Sequence, residues 1–196
     1  MRIESSDSAG SFLDHVVVAA RTLDEGARWV ESRLGAAPVS GGKHPLMGTH
    51  NRLLKLGERV YLEVIAIDPE APAPKRPRWL ALDSPAMRSR LARGPALIHW
   101  VERTDNIDAE LGGDAEMQIL DLERGRYRWR IGVPRDGAIP GGGARATLIQ
   151  WKGEHPAAAL PPSGCELVRF THDGARLEAV FTAPAGTRTI RGSGAE

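Results

Sequence analysis

Two histidines stand inside short apolar runs and are the first candidates for chemistry in this chain. His15 lies within residues 13–18 and His99 within residues 97–101. Such a run predicts a buried strand, where a polar side chain costs free energy unless something binds it. Each imidazole could transfer protons or bind a ligand, or be a neutral core histidine satisfied by backbone groups. Because the two runs occupy equivalent places in a weak internal repeat, we expect a shared explanation for both.

Each histidine has a polar partner further along its own half of the chain. Glu63 follows His15, and Gln150 follows His99, at nearly the same spacing and between apolar neighbours. Two modules related by a pseudo-twofold axis would bring these four side chains together in a cavity between their sheets. A simpler role also stays open for Gln150, which could be a core hydrogen-bonding residue.

The elements that must position these residues follow one pattern in both halves: strand, helix, then three strands. In the first half, Thr22 and Glu25 form a capping-box pattern, and Gly35 is placed to end the helix that this pattern predicts. Two strands follow at 49–56 and 59–67, and the Gly57-Glu58 step between them suits a two-residue hairpin turn.

That turn sets which residues of the hairpin lie opposite each other. With two turn residues, Arg52 pairs with Glu63, and one face carries His50, Arg52, Tyr61 and Glu63. We expect this face to line the cavity, with His50 as an acid, a base or a substrate contact, or else as a cap near the loop. A cross-strand ion pair between Arg52 and Glu63 would explain both residues by itself, and this alternative stays open.

The remaining segments are organised around the two modules. A helix is expected within 79–91, residues 166–171 could form a strand and the tail from 183 is predicted to fray. The predicted divisions are a disordered leader at 1–11, a first module at 12–69, a linker with a possible helix at 70–95, a second module at 96–155, and a C-terminal extension and tail at 156–196. His155, in the linker that follows Trp151, is predicted to lie at the surface.

Composition limits the possible partners and location. The chain has 26 Lys and Arg against 25 Asp and Glu, a net charge of +1, which gives no reason to expect binding to nucleic acid or to an anionic membrane. No apolar run approaches the length of a membrane span. The single Cys165 excludes an intrachain disulfide and fits a reducing compartment. We therefore predict a cytoplasmic protein.

Four stretches together resemble the glyoxalase-like branch of the vicinal oxygen chelate superfamily, which includes glyoxalases, bleomycin resistance proteins and extradiol dioxygenases. They are Leu13-Asp14-His15-Val16-Val17-Val18, Gly48-Thr49-His50-Asn51-Arg52, Tyr61-Leu62-Glu63-Val64-Ile65-Ala66-Ile67-Asp68-Pro69 and Thr147-Leu148-Ile149-Gln150-Trp151. The resemblance implies an α+β fold of two βαβββ modules in a half-open barrel, here with a C-terminal extension. It also implies a divalent metal, such as iron, zinc, nickel or manganese, with ligands at His15, Glu63, His99 and Gln150.

The resemblance leaves two function classes open. One is a metal-dependent lyase, isomerase or dioxygenase that acts on a small oxygenated molecule. Gln150 stands where glyoxalase I has a glutamate and cannot be a base, so Glu63 or His50 would move the proton. The other class is a non-catalytic small-molecule binding protein, and whether the chain is an enzyme stays open. The pocket residues expected in either case are Arg52, Tyr61, Trp100 and Trp151, and a homodimer is plausible.

Overall fold

The first module has the predicted element order. In the computed structural model of the chain, which describes residues 12–194, its elements are β1 (Phe12–Ala19), α1 (Leu23–Leu34), β2 (Val39–His44), β3 (Thr49–Lys55) and β4 (Tyr61–Ile67). The Thr22 hydroxyl accepts from the Glu25 backbone amide at 3.2 Å, and Gly35 ends the helix with a φ of 73°. The Glu25 carboxylate pairs with Arg21 instead of completing the capping box. The predicted leader, 1–11, lies outside the described residues.

The second module repeats the same order. After α2 (Pro85–Ala92), its elements are β5 (Ala96–Arg103), α3 (Ile107–Leu111), β6 (Met117–Arg124), β7 (Tyr127–Pro134) and β8 (Thr147–Lys152). The eight strands form one sheet in the order β2-β3-β4-β1-β5-β8-β7-β6. The modules join where β1 and β5 pair in antiparallel fashion, while β1 with β4 and β5 with β8 are parallel pairs. The predicted α+β fold of two βαβββ modules is confirmed.

The C-terminal extension is a sheet, and the prediction of a frayed tail is wrong for most of its length. It consists of β9 (Glu166–Asp173), β10 (Arg176–Ala183) and β11 (Gly186–Ser193) in an antiparallel arrangement. Phe170, Phe181 and Ile190 are buried in one cluster with residues of α1, β1 and β5. This sheet and α1 together cover the outer face of the large sheet. A tail of small and polar residues therefore becomes a strand because it covers apolar surface.

The inner face of the large sheet curls around a cavity. The edge strands β2 and β6 approach each other, so the curled sheet is almost closed on that side. Trp79 and Leu80, just before α2, pack among the residues of the inner cluster and line the cavity. The helix predicted within 79–91 begins only at Pro85, since Leu80 and Ala81 adopt φ values of 60° and 53°. Within residues 12–194, no helix is both long and apolar enough to cross a membrane.

Candidate functional site

The candidate site is the cavity inside the curled sheet. The centres of water-sized groups can occupy about 60 Å³ of it, and the space between its atoms is about 600 Å³ when open solvent is included. Most of its wall is apolar, and the polar side chains that face it are His15, His44, Asn51, Tyr61, Glu63, Arg124, Thr147 and the indole of Trp151. An apolar pocket with a few convergent polar groups is typical of a small-molecule site.

The buried carboxylate of Asp14 organises one end of this polar group. The pairing of β1 with β5 shifts register between Leu13 and His15, as at a β-bulge, and the Asp14 side chain lies on the same side of the strand as that of His15. Asp14 is fully buried and accepts hydrogen bonds from His15 Nδ1 at 2.7 Å, Trp151 Nε1 at 2.9 Å and His155 Nε2 at 2.9 Å. Burial alone would raise the pKa of this carboxyl, but the bonds to the two histidines outweigh burial and lower the pKa. Asp14 is therefore an anion that holds its three donors.

Asp14 also sets the orientation of His15. Because the Nδ1–H of His15 donates to Asp14, its Nε2 faces away from the carboxylate and toward Glu63. The ring of Tyr61 stacks on His15 with the centroids 4.5 Å apart. Burial raises the pKa of Tyr61 well above its ordinary value, with the nearby charges of Asp14 and Glu63 adding to the effect. Tyr61 is therefore a protonated phenol that supports the imidazole.

Glu63 is held in the cavity by Asn51 and not by Arg52. The Asn51 amide donates to Glu63 Oε1 at 2.6 Å, and Glu63 Oε2 lies 3.6 Å from His15 Nε2. The predicted Arg52 to Glu63 pairing is wrong because the hairpin connection contains three residues, Gly57 to Arg59, with Leu56 donating to Val60. Glu63 consequently lies opposite Leu53.

That extra turn residue moves His50 and Arg52 to the other face of the hairpin, since a shift of one residue reverses every side chain. Arg52 pairs with Asp24 in the first turn of α1. His50 lines a separate surface cleft beside Arg52 and Thr22. Neither residue lines the cavity, so the structure does not place His50 where it could act with Glu63, or Arg52 where it could contact a ligand there.

In the second module, a threonine takes the place that Glu63 has in the first. Val17 pairs with Glu63 across β1 and β4, and Val101, two residues after His99 as Val17 is after His15, pairs with Thr147. Thr147 is thus the pseudo-symmetric counterpart of Glu63. Its hydroxyl lies 2.9 Å from His99 Nε2, and its backbone N–H donates to the same nitrogen at 3.2 Å. Burial lowers the pKa of His99 to about 3, so this histidine is neutral.

Gln150 and Trp100 lie outside the cavity. Along β8, Thr147, Ile149 and Trp151 face inward, which turns Gln150 to the opposite side. There its amide donates to the Asp105 carbonyl at 2.5 Å.

The side chain of Trp100 points into the outer core. Its ring stacks on His172 with centroids 4.4 Å apart. By contrast, Tyr61 and Trp151 line the cavity, where the sequence predicted them.

The predicted ligand set does not fit a divalent metal in this structure. Of its four members, only His15 and Glu63 face each other in the cavity. His99 Nε2 already accepts the Thr147 N–H, and Gln150 is on the other face of β8. Over residues 12–194, no three or more His, Cys, Asp or Glu side chains form a group that could hold a metal ion. Zinc, for example, has four protein ligands in structural sites and three in catalytic sites.

Six site residues were not identified from the sequence: Asp14, His44, Asn51, Arg124, Thr147 and His155. Asp14 carried a signal, because a carboxylate beside a histidine in an apolar strand needs a partner. His155 is buried, contrary to the prediction of a surface position, because it bonds Asp14 from far along the chain. His44 and Arg124 lie in strands that meet only when the sheet curls, and nothing in their local sequence indicates that contact.

The fold agrees with the family comparison. A profile described as "glyoxalase-like domain" matches residues 13–189. The chain belongs to the glyoxalase-like domain family. This confirms the resemblance to the vicinal oxygen chelate superfamily. A comparison of the glyoxalase-like chain with curated proteins gives no match.

Three solved structures illustrate what the fold of this glyoxalase-like chain is similar to. A hypothetical protein from Staphylococcus aureus is 10% identical, with 93% of this chain and 85% of that chain covered and a TM-score of 0.53. Methylmalonyl-CoA epimerase from Mycobacterium tuberculosis is 21% identical, with 76% and 91% covered and a TM-score of 0.46. Methylmalonyl-CoA epimerase from Streptomyces coelicolor is 16% identical, with 73% and 94% covered and a TM-score of 0.45. The first of these supports the fold alone.

Proposed function

We propose that this glyoxalase-like protein catalyses proton transfer at a carbon next to a carbonyl group of a small oxygenated molecule, as a lyase or isomerase. The observation that carries the proposal is the placement of Glu63. Its carboxylate faces a mainly apolar cavity, is fixed by Asn51 at 2.6 Å, and lies 3.6 Å from His15 Nε2. A carboxylate in such a place suits a general base.

In this proposal, the Asp14–His15 pair assists Glu63. Glu63 accepts the proton from carbon, and His15 Nε2 is close enough to receive it when the contact tightens around a substrate. The imidazolium that results is stabilised by Asp14, whose pKa is lowered so that it stays ionised. The proton can then return to another atom of the enolate, which completes an isomerisation, whereas in a lyase reaction it would go to the group that departs when its bond to the substrate breaks.

Deuterium exchange tests the base directly. We expect the protein to accelerate, in D₂O, the exchange of protons next to the carbonyl group in at least one member of a panel of small compounds. The panel contains 4-methyl-2-oxopentanoate, whose exchanging protons are at C3, together with neutral ketones and esters. Glu63→Gln should reduce the enzymatic exchange by at least about 10²-fold, since general bases contribute on the order of 10²–10⁴. Proton NMR measures the rate, and Glu58→Gln, at an exposed loop position, is the matched control. Equal exchange by wild type and Glu63→Gln would refute the proposal.

A second candidate is ligand binding without turnover. It is favoured by the largely apolar cavity wall, with Trp79, Trp129 and Trp151 among its residues, and by Thr147 in the place of a second carboxylate. Saturable binding of an apolar ligand without any exchange would support this function instead. Dimerisation and a cytoplasmic location stay predictions.

A further inference from the structure

The guanidinium of Arg124 enters the cavity from the second module. Arg124 is the last residue of β6, and its Nη1 lies 3.3 Å from His44 Nε2 and 3.4 Å from Asn51 Oδ1, both in the first module. Arg124 therefore connects the two edges of the curled sheet and lines the cavity. Both contacts are long, so they leave donor capacity on the guanidinium.

Neither of these contacts compensates the charge of Arg124, and the Trp129 ring, whose centroid lies 6.0 Å from Arg124 Cζ, is at the outer limit of a cation–π contact. Asn51 is an amide, and burial lowers the pKa of His44 to about 4, which makes its ring neutral. Among the residues that the structure describes, no carboxylate lies within ion-pair distance of Arg124. A half-buried guanidinium beside an apolar wall is costly without an anionic partner, and its planar donors match a carboxylate.

The surrounding backbone makes room for this side chain. At Gly42, on the edge strand β2, an added Cβ would lie 2.6 Å from Arg124 Cδ. The Gly42 N–H donates to Asn51 Oδ1 at 2.8 Å, which turns the amide oxygen toward Arg124 and the amide nitrogen toward Glu63. Asn51 therefore spans the gap between the cationic group and the proposed base.

We propose that Arg124 binds the carboxylate of the substrate and that the substrate class is a 2-oxo carboxylate with an apolar tail. This inference rests on the proposed function of Glu63. With the carboxylate on Arg124, a carbon near the oxo group lies on the Asn51 side of the cavity, toward Glu63. The tail then contacts the apolar wall that includes Val101, Ile131 and Ile149.

Binding of two matched probes tests the carboxylate site. We expect 4-methyl-2-oxopentanoate to bind wild type at least tenfold more tightly than its methyl ester, measured by titration calorimetry. Arg124→Gln should weaken binding of the acid at least tenfold and abolish the preference. Gly42→Ala should weaken it too, because its Cβ displaces the Arg124 side chain while the charge remains. Arg126→Gln, an exposed arginine in the same hairpin, is the control and should change binding less than twofold. Circular dichroism verifies that each variant is folded.

The outcomes separate this inference from the proposed function. Equal affinity for acid and ester in wild type, no measurable binding of the acid, or an equal loss in Arg124→Gln and Arg126→Gln overturns the carboxylate site. Acid binding that depends on Arg124 without deuterium exchange supports the site and refutes the base. Exchange that depends on Glu63 but is equal for acid and ester, and unchanged in Arg124→Gln, supports the base and overturns the site.

Discussion

Asp14 is the residue on which the geometry of the cavity depends most directly. Its carboxylate is fully buried and receives three side-chain donors from β1, β8 and the segment after β8. A buried charge with complete hydrogen bonding is tolerated, whereas removal of one partner leaves the others unsatisfied. The cost of disturbing Asp14 should therefore exceed that of any exposed carboxylate in the chain.

We predict that Asp14→Asn lowers the free energy of unfolding by about 3 kcal/mol. The negative charge is lost, and the NH₂ group of the new amide faces at least one N–H group that now donates to the carboxylate. Urea denaturation measures the change. Asp24→Asn is the matched control, since the Asp24 side chain is 65% exposed and its one ion pair within residues 12–194 is with Arg52 at the surface. We expect less than about 1 kcal/mol for that variant. Similar small losses in both variants would contradict the structural role of Asp14.

At the scale of elements, strand register decides which side chains meet. One additional residue in the β3–β4 connection exchanges Arg52 for Asn51 as the neighbour of Glu63. In β8, the side chain of Thr147 faces the cavity, so Gln150, an odd number of residues later, faces the opposite side. Side chains alternate with a period of two, so an error of one residue gives the wrong face even when the strand itself is correctly located.

The packing of α1 on the sheet gives a prediction at this scale. Gly26 faces β4 so closely that an added Cβ would lie 2.9 Å from the Ala20 Cβ and still closer to Val64. Alanine favours a helix over glycine by about 1 kcal/mol, but the overlap should reverse this gain. We predict that Gly26→Ala destabilises the protein by about 1–3 kcal/mol, measured by thermal or urea unfolding. Ser32→Ala, at an exposed position of the same helix, should be nearly neutral, and a more stable Gly26→Ala variant would refute the tight packing.

At the scale of the whole molecule, the large sheet separates two apolar regions. The outer region lies between that sheet, α1 and the C-terminal sheet, and the inner one surrounds the cavity. Each module contributes a buried neutral histidine on the inner side. Burial lowers the pKa of His44 to about 4 and that of His99 to about 3. These groups connect global stability to pH.

We predict that stability decreases as the pH falls from 7 to 5. In the unfolded chain both histidines take up protons near pH 6.5, whereas in the folded protein they stay neutral until the pH approaches 4, so the unfolded state binds more protons in this window. Each histidine should cost about 2 kcal/mol over these two pH units. Urea denaturation at several pH values measures the slope, and His44→Gln should reduce it by about half. A stability that stays constant between pH 7 and 5 would be inconsistent with buried neutral histidines.

Local sequence signals determined the modules and several site residues of this protein. The start of α1 after Thr22 and its end at Gly35 depend on hydrogen bonds between near neighbours. The order of strand, helix and three strands follows from the local pattern of apolar and polar residues. The placement of His15 and Glu63 in buried strands follows from the apolar residues that flank them. These features could be predicted because each depends on a short stretch of chain.

Only the tertiary structure decided which polar groups share the cavity. The contact of Arg124 with His44 joins opposite edges of the curled sheet. The hydrogen bond from His155 to Asp14 joins the segment after the last strand of the second module to the first strand of the first module. Neither is encoded in any local pattern, because sheet curvature and register depend on packing over the whole molecule. The strand β11 likewise forms because it covers apolar surface that distant elements supply.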